Sequence, residues 1–145
     1  MLHVLEIVRG FDLDGPGRLV LNLLRAWREE EVRVSLVALS GEGALYPEVT
    51  RDVERLGGEV FVLPTSWPGV RRTAREVGRL AKRIGATHLH AHLLRPDVVG
   101  RLAARGAGLP YVLTEHGIHA WSERGRLLRP AVRGSRARCH ARSTA

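Results

Sequence analysis

Short runs of β-branched and other apolar residues alternate with longer stretches in which apolar positions return every three or four residues. The first pattern marks buried strands and the second marks amphipathic helices. Leu2 to Val8 reads as a first strand, and Leu19, Val20, Leu23, Leu24 and Trp27 mark a first helix, opened by Gly15 with Pro16 and closed around Glu30. Arg33 to Leu39 is a second strand. Leu45, Val49, Val53 and Leu56 trace a second helix that Gly57 and Gly58 stop, and Glu59 to Leu63 is the third strand. After a loop bracketed by Pro64 and Pro68, a third helix sets Val70, Ala74, Val77, Leu80, Ala81 and Ile84 on one face. Its other face carries Arg71, Arg72, Arg75, Arg79, Lys82 and Arg83, a pattern typical of a solvated surface. His88 to Leu93 is a fourth strand, a helix runs from about Pro96 to Arg105, and Tyr111 to Thr114 is a fifth strand.

Single helices between successive strands require right-handed crossovers and parallel pairing. The expected fold is therefore α/β: an open, parallel, Rossmann-like sheet of strand order 3-2-1-4-5 with helices on both faces. In that order the first and fourth strands flank the topological switch point, where open sheets of this class bind ligands. Residues 1–132 are expected to form this domain, incomplete at its C-terminal end. Residues 133–145, RGSRARCHARSTA, contain four arginines, no acid and only small apolar residues, and are expected to be a basic tail, disordered or read out of frame.

The chain has 145 residues, 44% hydrophobic and 26% charged, which is globular composition for one domain. Lys plus Arg total 23 against 15 acids, for a net charge of +8, but the tail holds four of those cations and the rest of the chain is only mildly basic. Seven aromatics without a stacking motif or helix-turn-helix exclude a reading as a nucleic-acid binder. The basic face of the third helix leaves peripheral contact with an anionic membrane open. One cysteine, Cys139, excludes a disulfide framework, and with no long apolar run the expected location is the cytoplasm.

Three segments carry candidate chemistry. The loop from Asp12 to Arg18 joins a strand to a helix, and its Gly15 and Gly17 would let a phosphate approach backbone N–H groups at the helix start. It lacks the lysine of a P-loop and the third glycine of a dinucleotide fingerprint. His88, His90 and His92 alternate along one strand and so share a face. A metal there would need a further ligand from Asp97, His116 or His119. Thr114, Glu115, His116 and Gly117 lie where the fifth strand enters a loop, and the topology brings all three segments to one crevice. No serine nucleophile elbow and no paired carboxylates are present.

Together, LHVLEIV, DGPGRLVLNLLRAW, EVRVSLVAL, THLHAH and VLTEHG, in this order and spacing, resemble the amino-terminal half of a GT-B glycosyltransferase of the retaining family 4 type. The resemblance covers residues 2–119. It implies that Gly15, Gly17 and Arg18 approach the diphosphate of a nucleotide-sugar donor and that His116 is catalytic, close to the transferred sugar. His90 and His92 match an H-x-H motif, and with Glu115, Gly117 and His119 they are implied to line the substrate site. The resemblance further implies a retaining transfer to an acceptor that the sequence does not identify. It implies no cofactor and no metal, and a second, donor-binding GT-B domain without which this chain is inactive. The alternative is a non-catalytic nucleotide- or phosphate-binding α/β domain, which the absence of a second βα domain downstream would favour.

Overall fold

A strand buried on both faces reads as a nearly continuous apolar run, and the first strand, β1 (Leu2–Val8), is buried at every position after Leu2. The computed structural model describes residues 1–10, 15–40 and 47–114. After β1 come α1 (Gly15–Ala26), extended by one 3-10 turn, then β2 (Val32–Ala38), α2 (Pro47–Arg55) and β3 (Val60–Val62). They are followed by α3 (Val70–Ile84), β4 (His88–His92), α4 (Leu94–Ala107) and β5 (Tyr111–Thr114). The sheet is parallel throughout, in the order β3-β2-β1-β4-β5 expected from the sequence. β1 is central, and Glu6 stands opposite Leu36 on one side and His90 on the other.

Alternation along the strands divides the core into two layers. Leu5, Ile7, Val37, Leu39, Leu89 and Ala91 pack against α3 and α4. Val8, Val34, Leu36 and Ala38 pack against Val20, Leu21 and Leu24 of α1 and Val49 and Val53 of α2. Glu6 has the same parity as Val8, so it belongs to the α1–α2 face, together with His88, His90 and His92. The six cations of α3 all lie exposed on its outer side, as its amphipathic pattern requires.

Helix ends follow backbone hydrogen bonding. α3 stops at Gly85, whose φ of 70° lets its own N–H and that of Ala86 reach the carbonyls of Lys82 and Ala81. The sequence places the start of α4 at Pro96, but the helix begins at Leu94, because the N–H of Asp97 already bonds the carbonyl of Leu93 at 2.9 Å. A proline inside the first turn costs nothing there, since the first four N–H groups have no partner within the helix. Buried Asp97 then ties the edge strand to α4. It accepts from the Tyr111 hydroxyl at 2.6 Å and from Arg101 at 2.9 and 3.1 Å. Burial first, and Asp97 second, push the Tyr111 phenol far above its usual range, which keeps it a proton donor.

One close approach sets a test of the packing. A Cβ on Gly58 would fall 1.5 Å from the carbonyl oxygen of Val34, whereas one on Gly106 of α4 would meet nothing within 4 Å. Gly58→Ala is therefore expected to lower unfolding free energy by about 2–3 kcal/mol. Gly106→Ala is expected to raise it by about 0.5–1 kcal/mol through helix propensity. Urea denaturation of the two variants checks the pair, and equal effects would refute the close approach.

Candidate functional site

A carboxylate taken wholly out of water must find charged or hydrogen-bonding partners, and Glu6, with no solvent exposure, finds two on the neighbouring strand. Parallel pairing of β1 with β4 sets Glu6 beside His90, and the period of two brings His92 onto the same face one pleat further along. The carboxylate accepts from His90 Nδ1 at 3.0 Å and from His92 Nε2 at 2.8 Å. An ionised carboxylate only accepts, so these contacts assign a proton to each of those nitrogens. The other nitrogen of His90 pairs with the Thr114 hydroxyl at 2.8 Å, which carries the chain of contacts on to β5. The two imidazoles lie 4.3 Å apart, tilted by 49°.

Burial acts to raise the Glu6 pKa, and the bonds from His90 and His92 outweigh it, so the carboxyl is held below its ordinary range. His3, of opposite parity on β1, is a separate case. Burial, aided by Arg33, lowers its pKa, while its Nε2 pairs with Ser35 Oγ at 3.0 Å.

Glu6, His90 and His92 also bring one ligand-type atom each within 4.8 Å of one another. Two ligands around one zinc ion stand roughly 3.3 Å apart, from metal–ligand distances of about 2.0 to 2.1 Å at tetrahedral angles. The separations of 2.8 and 3.0 Å found here are those of shared protons. Asp97, a further ligand considered from the sequence, is instead bound to Arg101 and Tyr111.

Among the other residues singled out in the sequence, Arg18 is exposed on the first turns of α1, and Gly15 and Gly17 lie at that helix's start. Glu115, His116, Gly117 and His119 lie outside the described residues. The side chain the sequence reading missed is Glu6. Its signal was an acid in the middle of LHVLEIV, legible only once that strand is known to neighbour HLHAH. The chain leaves β4 through Leu93, whose φ of 72° and ψ of 171° belong to a region that side chains other than glycine rarely enter. Such a conformation costs about 1–3 kcal/mol and is most frequent at functional sites. A groove of about 540 Å³ between α3 and α4, lined by Arg75, Gly78, Arg79 and Leu102 among others, lies over the opposite face of the sheet. The polar chemistry, and not that groove, marks the switch point.

The family model for Glycosyltransferase Family 4 matches residues 13–145. The chain belongs to glycosyltransferase family 4. No curated protein matches it. Among solved structures, a glycosyltransferase from Rickettsia africae aligns at a TM-score of 0.61 with 11% identity, over 81% of this chain and 31% of that one. MurG from Acinetobacter baumannii aligns at 0.60 with 17% identity, over 89% of this chain and 39% of its own. The chain thus spans about a third of the length of these two structures. The C-terminal domain of the PF1911 hydrogenase from Pyrococcus furiosus aligns at 0.50 with 17% identity, over 79% of this chain and 91% of that domain. These likenesses establish the fold, which is shared beyond glycosyltransferases, while the family rests on the sequence match. The family 4 domain accordingly has the parallel α/β architecture expected of it.

Glu6→Gln would place an amide against two N–H donors. It is expected to cost about 1–3 kcal/mol of stability at neutral pH, the range for leaving a buried hydrogen-bonding group without its partner. Because the folded pKa of Glu6 lies below its ordinary value of 4.5, its contribution is complete above about pH 4.5 and is lost as pH falls through the folded pKa. His3 acts in a higher window: its folded pKa lies below 6.5, so protonation favours the unfolded chain as pH drops from about 6.5. Urea stability measured against pH should fall in both windows for the native chain, with only the lower fall missing in Glu6→Gln. An unchanged acid limb in the variant would contradict the assignment.

Proposed function

We propose that this family 4 domain is the acceptor-side half of an enzyme that transfers a sugar from a nucleotide-sugar donor to an acceptor. The observation that carries the reading is the meeting of two features at the switch point. α1 starts beyond the carboxyl end of β1, and the Glu6–His90–His92 cluster runs along β1 and β4 toward that same edge. A departing nucleoside diphosphate gathers negative charge. Unpartnered N–H groups at a helix start stabilise such charge without having to reorganise. Gly15 and Gly17 give the backbone room at that start, and Arg18 adds a cation one residue further on.

His116 follows Thr114 by two residues, and Thr114 is bound to His90. In the proposed reaction His116 contacts the transferred sugar, and Glu115, Gly117 and His119 bind the substrates. His90 and His92 line the substrate site, their ring orientations set by Glu6. The transfer retains configuration at the anomeric carbon and needs no cofactor or metal. A second domain supplies the main hold on the nucleotide, so the 145-residue chain alone is inactive.

In the complete enzyme His116→Ala is expected to lower kcat at least 100-fold, within the span attributed to a single positioned catalytic group. Turnover that persists unchanged in the variant would remove His116 from the chemistry. Sugar transfer should be insensitive to EDTA, and NMR of the product should show the donor's anomeric configuration. Inversion, or loss of activity restored by a divalent ion, would contradict the proposed mechanism. Steady-state transfer by the 145-residue chain by itself would overturn the requirement for a second domain.

A further inference from the structure

Three residues after His92, Arg95 enters the first turn of α4 and turns its side chain toward the loop that follows β3. Its guanidinium sits 5.3 Å from the centre of the Trp67 ring, and Trp67 is half exposed. For a group with five N–H donors, Arg95 is poorly satisfied. Nη1 reaches the carbonyl of Thr65 at a long 3.4 Å, and Nε is enclosed without a hydrogen-bond partner. It forms no salt bridge within the described residues, and the nearby acid on its own helix, Asp97, is taken by Arg101 and Tyr111. Arg33 Nε also lacks a partner, but Arg33 lies near the amino-terminal edge of the sheet, far from β4's carboxyl end. Among the described residues, Arg95 alone combines a guanidinium without a salt bridge, an aromatic platform and a place at the edge where substrates are proposed to bind.

We infer that Arg95 and Trp67 form a clamp for an oxyanion, a phosphate ester carried by the acceptor. Phosphate oxygens accept from the planar guanidinium edge in pairs. Trp67 holds that edge in place by cation–π attraction and offers its remaining exposed surface to the body of the ligand. Thr65, whose N–H bonds the carbonyl of Leu39 at 3.0 Å, anchors the loop to the end of β2 and so fixes the ring's position. This deepens the proposed transferase reading by naming a chemical class for its acceptor, and rests on that reading for the word acceptor alone. The anion site itself stands on the geometry.

The test titrates the 145-residue chain with phenyl phosphate and, separately, with phosphatidylglycerol vesicles, following tryptophan emission at constant ionic strength. A saturable response is expected that disappears in Trp67→Phe. In Arg95→Met the affinity should fall at least tenfold, and Arg95→Lys, which keeps the charge and loses the fork, should lie between. Circular dichroism melts establish that each variant is folded. A response confined to phenyl phosphate assigns the site to soluble phosphate esters, and one confined to vesicles assigns it to a lipid headgroup. No saturable response to either, or equal affinity in folded Arg95→Met, overturns the clamp. In that event sugar transfer by the complete enzyme still decides the transferase reading, because neither Arg95 nor Trp67 is assigned a part in donor chemistry.

Discussion

The structure turns on one buried charge. Glu6 occupies the centre of the middle strand of the sheet, where a lone carboxylate would cost several kcal/mol after relaxation. The cost is offset only if β4 pairs with β1 in the observed register, which sets His90 opposite and His92 one pleat beyond. A slip by one residue would turn both histidines to the α3–α4 side and leave the carboxylate facing Leu89 and Ala91. Apolar packing alone tolerates such slips better than an unpaired charge does. The Glu6 cluster therefore contributes specificity of register as well as cohesion.

Around that centre the two faces of the sheet do different work. On the α3–α4 side the core is mainly apolar, with the His3–Ser35 and Asp97–Tyr111 pairs at its margins, and the helices lie close enough for Gly78 to approach the Ala103 backbone. On the α1–α2 side the apolar layer covers β1 and β2, and over β4 it gives way to the histidines. The sheet is thus mainly apolar on one face and polar near its centre on the other. The network Thr114–His90–Glu6–His92 joins β5, β4 and β1, so the edge strand β5 is coupled to the central strand by side-chain hydrogen bonds as well as by the ladder.

The fold is also similar to that of a hydrogenase domain, so architecture alone leaves chemistry open. The carboxyl edge of β1 and β4 carries a glycine-opened helix, Leu93 at positive φ, and Arg95 stacked against Trp67.

Much of this was legible in the amino-acid sequence. Period-two and period-3.6 patterns located the strands and helices of the described residues to within a few residues, and chain-connectivity rules gave the strand order, because burial and crossover handedness are local and general constraints. The start of α4 was misplaced because proline is tolerated at several positions in a first turn. HLHAH was visible as three imidazoles on one face, yet their partner was not. Glu6 lies 84 residues before His90, and nothing local distinguishes a buried acid from one at a strand's solvent edge. The same holds for Arg95, one cation of many in the sequence, singled out only when the β3–α3 loop lays Trp67 beside it. Sequence by itself determined the elements, their order and the family. Tertiary structure decided which polar groups meet, because a hydrogen bond between distant residues depends on strand register and loop path, and neither is written in the local pattern.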